Sequence, residues 1–357
     1  MKIKYIGNFT DGTGWAKAST YNALALDAAG YDVYCQQVKY NNANVIIEDK
    51  ILELLNKQSN QFDYTLQNVL PFQYVRYPNT INVGCLPLET TLSHPIWLKN
   101  ISMMDMMFVP DKISKQMLID SGVKSEIKIF NYSFNYDRLV NYENKKLIRG
   151  IDNMFNFIFI GEFTARKDLE NLIRAFHGEF NVAEPVNLIL KVNKDSNTIN
   201  SFISEVKRRM KKPGKMKNEI VISDYLNESD LISITKQCHC FVTSSHGEAW
   251  CYPAAEAMAL GLSLVYPENT GIDDYAEKGE NFGVKSFTEY CYGATDGVDG
   301  LYTSDDKWMH MFNSDLRSAM RLAYNNFLKT QQLSKINSEL MQKYDYNNKD
   351  LTKELFA

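Results

Sequence analysis

The run Thr243-Ser-Ser-His-Gly-Glu-Ala-Trp-Cys-Tyr-Pro-Ala-Ala-Glu-Ala-Met-Ala-Leu-Gly261 sets two carboxylates around a proline and closes on a glycine. Its pattern predicts strand, loop and helix. Pro253 suits a first helical turn, where its missing N–H has no partner to lose, and Gly261 suits the stop. Glu256, three residues after Pro253, shares its helix face, and Glu248 lies in the loop ahead, so both carboxylates can border one pocket. The backbone N–H groups of about 250–253 are the unpaired donors of that helix start, and with the helix dipole they form an anion site suited to a diphosphate. Acids repel phosphate but accept hydrogen bonds from sugar hydroxyls, so carboxylates on both sides of an anion site point to a nucleotide sugar. Taken singly, Glu256 is a surface helix acid and Glu248 a loop acid.

A second candidate is Arg166-Lys167, just before a helical stretch at 167–178 and after the apolar run Phe155–Ile160 with Gly161. Two cations at a helix start oppose its dipole unless an anion is close by. The elements that must position these groups alternate along the chain. Short β-branched or aromatic runs at Lys2–Ile6, Asp32–Cys35, Ile81–Leu86, Met106–Val109 and Ile127–Asn131 predict strands. A helix is predicted over Gly14–Gly30. After the polar, aperiodic stretch 141–153 come strands at Phe155–Ile160, Val186–Val192, Glu219–Ile222, Cys240–Thr243 and Leu262–Tyr266, with helices at 167–178, 197–212, 227–237 and 253–260.

This is the grammar of two consecutive α/β domains of the doubly wound, Rossmann-like kind, with a substrate cleft expected between the carboxyl edges of two sheets. The expected limits are 1–150, 151–326 and a C-terminal piece 327–357. The stretch 281–305 reads as irregular, with helices following at about 306–326 and 329–344.

Composition narrows the classes. With 357 residues, 45% apolar and 23% charged, the chain is long enough for two cores. A net charge of -4 excludes a global positive field for nucleic acid or anionic membrane. The basic stretch Lys207–Lys217 reads either as a phosphate-contacting patch or, more simply, as a solvated helix end. The six cysteines lack paired spacing, which fits a reduced, cytoplasmic chain. No apolar run reaches transmembrane length and no signal-peptide pattern opens the chain, so no integral membrane association is expected.

Glu248-Ala-Trp-Cys-Tyr-Pro253 and Glu256-Ala-Met-Ala-Leu-Gly261 together resemble the Glu-x7-Glu motif of retaining GT-B glycosyltransferases of the family 4 type. Phe159-Ile-Gly-Glu-Phe-Thr-Ala-Arg-Lys-Asp-Leu-Glu-Asn-Leu-Ile-Arg-Ala-Phe176 resembles the same family's donor-domain start, and Met104-Asp-Met-Met-Phe-Val-Pro110 resembles its N-domain "Asp-x-x-x-Val-Pro" strand. The chain departs from the family pattern at Glu162, where an arginine is usual, and at Ala249 and Cys251, where glycines are common. Arg166 is expected to supply the missing charge.

The resemblance implies a GT-B fold, with two Rossmann-like domains facing each other across a cleft and a helix at 329–344 crossing back to the first. It implies transfer of a sugar from a nucleotide diphosphate to an acceptor hydroxyl with retention of configuration. Lys167 and Arg166 would hold the diphosphate, Glu248 the donor sugar and Glu256 the ribose, with Trp250, Cys251 and Tyr252 lining the donor site. Tyr225, in the loop the family uses for its base, either stacks on the nucleobase or is a core tyrosine. Thr13 and Gly14 resemble the N-terminal glycine loop near the donor, with Trp15 and Glu89 on the acceptor side. His94 would face the reacting sugar or be structural, and His246 either assists Glu248 or merely orients the motif.

No Asp-x-Asp occurs, so no obligatory metal or other cofactor is expected. The acceptor is left open between a soluble glycan, a protein and a hydroxylated base in viral DNA. A non-catalytic nucleotide-sugar binding module is the alternative, motivated by Glu162, and a sugar-nucleotide epimerase ranks last. On this reading, loss of the Lys167 side chain reduces turnover far more than stability.

Overall fold

A computed structural model describes residues 1–40, 48–91, 95–294 and 302–356. The chain divides into two units, Met1–Tyr136 with Lys343–Ala357, and Asp137–Gln342. The first contains β1 (Lys2–Gly7), α1 (Gly14–Ala28), β2 (Asp32–Gln37), α2 (Asp49–Asn56), β3 (Tyr64–Asn68), β4 (Ile81–Cys85), α3 (Pro95–Ile101), β5 (Met106–Val109), α4 (Lys112–Asp120) and β6 (Glu126–Ile129). Its strands form one parallel sheet in the order β2-β1-β3-β4-β5-β6. The strand order reverses between β1 and β3, which opens a crevice at the carboxyl ends of those strands.

The second unit starts within α5 (Tyr136–Asn141) and runs through β7 (Phe155–Gly161), α6 (Leu169–Glu179), β8 (Val186–Val192), α7 (Ser196–Met210), β9 (Ile220–Ile222), α8 (Glu228–Lys236), β10 (Cys240–Val242), α9 (Tyr252–Ala259), β11 (Ser263–Pro267), α10 (Asp273–Ala276) and β12 (Phe282–Val284). A two-stranded antiparallel ribbon follows, β13 (Ser286–Tyr290) and β14 (Lys307–Met311), then α11 (Asn313–Thr330) and α12 (Lys335–Gln342). The main sheet is parallel in the order β12-β11-β10-β7-β8-β9. Its switch point lies between β7 and β10, so the loops leaving those two strands meet. Phe155, Phe157, Phe159 and Ile158 of β7 are buried on both faces, as a central parallel strand requires.

Both expected parallel sheets are present, with differences at several places. The division falls at Tyr136/Asp137 rather than near 150, because the polar stretch is tied to α8: Leu147 and Ile148 donate their N–H groups to Gln237 Oε1 at 2.9 and 3.1 Å, and Lys236 Nζ donates to the Tyr142 carbonyl at 2.6 Å. The stretch read as irregular holds β12 and β13, and β14 stands at the start of the expected helix 306–326.

The helix expected over 329–344 is broken at Gln331, whose φ is +50°. Its C-terminal part, α12, belongs to the second unit, where Ser338 Oγ donates to the Ala259 carbonyl at 2.6 Å and Ser334 N to the Gly261 carbonyl at 2.8 Å. It is 343–357 that belongs to the first unit. There Phe134 N donates to the Tyr344 carbonyl, and the Phe356 ring sits 4.6 to 5.8 Å from those of Tyr31, Tyr64 and Phe108.

The basic stretch at the end of α7 is in part the solvated helix end expected, with Arg208, Arg209, Lys211 and Lys215 exposed, and in part tied down. Lys207 Nζ pairs with Glu219 at 2.6 Å and donates to the Lys217 carbonyl at 2.7 Å, Lys212 donates to the carbonyls of His177 and Phe180, and Lys217 to that of Glu184. Arg208 pairs with Glu205 and Arg209 with Glu170. Lys207, Lys212 and Lys217 close the helix end onto neighbouring carbonyls.

All six cysteines are free and buried. Burial pushes the thiols of Cys35, Cys85, Cys240, Cys251 and Cys291 up to about 12, and that of Cys238 higher still. Since the thiolate is the reactive form, a disulfide dye is expected to label native protein at well below six thiols per chain and to reach six in denaturant. Rapid labelling of all six without denaturant contradicts this packing.

Candidate functional site

The loops leaving β7 and β10 interlock because their strands are neighbours. After Gly161 the chain passes a tight turn, Ala165–Lys167, and enters α6 through Asp168, whose carboxylate accepts the Asn171 N–H. Asp168 adopts a left-handed backbone, φ +45°. From the other loop, His246 N donates to the Arg166 carbonyl at 2.7 Å and Ser244 Oγ to the Asp168 carbonyl at 2.7 Å. In return Arg166 donates to the Gly247 carbonyl at 2.6 Å. Ser244 and Ser245 are therefore positioning residues that sequence reasoning passed over; their only signal was standing between the strand and the His-Gly-Glu run.

This interlock brings together three predicted residues. Lys167 Nζ lies 2.5 Å and Arg166 Nη1 3.4 Å from the same oxygen, Oε1, of Glu248. Glu248 is only 5% exposed. Burial alone would push its carboxyl up, but the Lys167 and Arg166 charges outweigh burial and hold it below the usual range, so it is ionised. The result is one fixed anion with two cations, a net positive charge that one further negative charge would neutralise. Glu162, in the place of the usual arginine, is exposed, and it is Arg166 that enters this cluster.

Helix α9 begins as the sequence suggests, with Pro253 in its first turn, and ends at Gly261 with φ +88°. Its cap residue, Cys251, is left-handed, φ +62°, and provides no side-chain cap. Pro253 carries no N–H, and Ala254 and Ala255 both donate to the Cys251 carbonyl, so the donor stretch is shorter than 250–253. Trp250, Cys251 and Tyr252 are buried side chains rather than an open lining. The Trp250 ring packs 5.1 Å from Tyr275, whose hydroxyl donates to the Trp250 carbonyl at 2.7 Å. Glu256 is half-buried one turn into α9.

Tyr225, in the loop between β9 and α8, is 83% exposed, which excludes the core reading and leaves its face open. His246 is buried, its Nδ1–H donating to the Met309 carbonyl at 2.7 Å and its ring stacked 4.5 Å from Trp308. Burial drops its pKa to about 4, so it is neutral near pH 7. Its contacts tie the Glu248 loop to β14, which is the orienting role.

In the first unit, Thr13 caps α1 by accepting the Ala16 N–H. Asp11 accepts from both Thr13 N and Thr13 Oγ1, and Gln37 bridges to Thr10 and Asn8, so the loop after β1 is rigidly held. Open space lies where a Cβ on Gly14 would be, so packing within the unit does not call for glycine there. Trp15 and Glu89 are half-buried. His94 lies outside the described residues.

Two doubly wound parallel sheets, each with a switch point at the carboxyl ends of its strands, define an α/β protein of the GT-B architecture. Residues 142–289, all within the second unit, match the family model described as "Glycosyl transferases group 1". No curated protein matches the sequence significantly.

Similar solved structures span the whole chain. Sucrose-phosphate synthase from Thermosynechococcus elongatus matches with a TM-score of 0.67 at 14% identity, covering 100% of this chain and 99% of that one. HepE of Anabaena, solved with UDP and glucose, matches with 0.63 at 14% identity and coverage of 100% and 99%. The E. coli trehalose-6-phosphate protein, bound to UDP-2-fluoro glucose, matches with 0.62 at 11% identity and 99% coverage of each chain. No helix of the described residues is long and apolar enough to cross a membrane.

Proposed function

We propose that this chain is a glycosyltransferase that moves a sugar from a nucleoside diphosphate donor to an acceptor hydroxyl with retention of configuration. The observation that carries the reading is the buried Glu248 clamped by Lys167 and Arg166 beside an uncapped helix start. Arriving diphosphate would draw the two cations toward its oxygens, and the charge that builds on it as the sugar departs would meet preorganised partners. Freed from part of that pairing, Glu248 would accept hydrogen bonds from the donor sugar, and Glu256 from the ribose. Tyr225 would stack on the base. Thr13 and Gly14 are proposed for the donor, and Trp15, Glu89 and His94 for the acceptor. With Lys167 and Arg166 proposed to hold the diphosphate, no obligatory metal is proposed there. The solved relatives bound to UDP and UDP-sugar support a uridine donor. The acceptor is proposed to be a soluble glycan or a hydroxylated base in DNA.

The test is a panel of nucleotide diphosphate sugars, read by thermal shift and by slow donor hydrolysis without added metal. One donor should stabilise the chain and be hydrolysed. The Glu256→Ala variant should bind that donor more weakly by about 1–3 kcal/mol, the loss of a charged hydrogen-bond partner. Unchanged affinity removes Glu256 from the ribose. Stabilisation without any hydrolysis, even with acceptors present, favours the non-catalytic binding module that Glu162 suggests.

A further inference from the structure

We propose that Asp168, His246 and His310 form a site for a divalent transition-metal ion of the zinc type. One ligand atom from each residue lies within 4.8 Å of the other two, and among the described residues no other group of histidines, cysteines and carboxylates meets that criterion. His246 is set up as a ligand: its Nδ1–H is used on the Met309 carbonyl, which leaves the Nε2 lone pair facing Asp168 Oδ2 at 3.7 Å. A backbone carbonyl on the second nitrogen is the arrangement that orients metal-bound imidazoles. The ring is held in place between Trp308 and His310. Asp168 Oδ1 takes the helix-cap hydrogen bond, so Oδ2 remains for a ligand. Two imidazoles and a carboxylate suit zinc and its neighbours rather than magnesium or calcium.

The charges around the cluster balance, since Glu170 is itself paired with Arg209, so it is the ligand set and not the surrounding field that selects a cation. Glu289 lies 3.4 Å from His310 Nδ1, and Glu170 acts on Asp168 from α6. Against them stand Arg174, which acts on Asp168, and Arg166, which acts on His246 but is already paired with Glu248 and the Gly247 carbonyl. Ligands of tetrahedral zinc are about 3.4 Å apart, given metal–nitrogen bonds near 2.1 Å. The cluster must therefore contract, and His310, 29% exposed on β14 against 10% for His246, is the member with room to move. Asp168 and His310 also line a cavity of about 580 Å3 through which water could complete the coordination. Bound metal would clip the β13–β14 ribbon to the loop that carries Arg166 and Lys167. The inference stands apart from the transferase reading, because it concerns binding alone.

The experiment strips the whole chain with a chelator, then titrates Zn2+ by calorimetry and Co2+ by its visible absorption, with Mg2+ as the contrast. The expected result is one equivalent of Zn2+, a tetrahedral Co2+ spectrum, a higher melting temperature with Zn2+ and no response to Mg2+. Asp168→Asn and His310→Ala should each weaken Zn2+ binding at least about tenfold. Asn keeps both the helix cap and the left-handed backbone, so that variant stays folded. Failure of the wild-type chain to bind Zn2+, or binding that is undiminished in both variants, overturns the proposal.

Discussion

Lys167→Ala should lower the unfolding free energy by about 3 kcal/mol, the low end for breaking a buried ion pair, because Arg166 still faces the abandoned carboxylate. The reasoning is that the substitution removes the nearer of two cations from a carboxylate that is 5% exposed and leaves the desolvation in place. Denaturant unfolding measures it directly. Converting the partner as well, in Lys167→Ala with Glu248→Gln, should recover part of the loss, giving a coupling of roughly 1–3 kcal/mol in a double-mutant cycle. Activity should also fall, by about two orders of magnitude, if Lys167 meets the departing diphosphate. The pairing with Glu248 thus adds a stability cost that the sequence reading, in which this lysine matters for turnover far more than for stability, did not include. A variant as stable as the parent would mean that the pair is not buried as described.

The second large effect is expected at Glu219, at the other end of the unit. Its carboxylate joins His177 on α6 to Lys207 on α7, with 3% of its side chain exposed, 2% of His177's and 19% of Lys207's. Glu219→Ala leaves a half-buried ammonium and a buried imidazole facing a void, a loss of about 3 kcal/mol. Glu219→Gln keeps the shape and should lose less. Burial would push this carboxyl up, but His177 and Lys207 prevail and hold it below its ordinary value. A carboxyl depressed on folding contributes its full stabilisation above the unfolded value of about 4.3 and loses it as the pH falls through the lower folded value. The stability gap between wild type and Glu219→Gln should thus be widest near pH 7 and shrink in acid. A gap that is constant from pH 7 to pH 3 would sink this account.

Much of the fold could be read along the chain because buried parallel strands announce themselves locally. Val186–Val192 and Phe155–Gly161 are apolar runs between helical stretches, and Pro253 with Gly261 marks both ends of α9. Tyr64–Asn68 escaped notice because polar Thr65, Gln67 and Asn68 occupy a buried strand, satisfied by partners distant in sequence such as Thr80, Val75 and Ser19. β13 escaped because its residues lie outside the core, Phe287 and Tyr290 included, and β14 because its buried Trp308 and Met311 stand three apart, a spacing that reads as helical. At the site, the two glutamates and the two bases could be picked out by type and spacing. Their pairing could not, since Lys167 and Glu248 are 81 positions apart and meet only because β10 lies beside β7. Nor could spacing reveal that Trp250 turns inward onto Tyr275.

The last fifteen residues finish the first unit, burying Tyr344 and Leu355 and setting Phe356 among three aromatic rings. During synthesis this means that the N-terminal sheet emerges first and is completed last. At about 5–20 residues per second, its aromatic slot waits roughly 10–40 s while the intervening 137–342 is made. The second unit, one uninterrupted stretch of chain, has all its parts before then. The order of emergence from the ribosome and the order of maturation are therefore reversed, and a chaperone that guards exposed apolar surface would find its client in the N-terminal half.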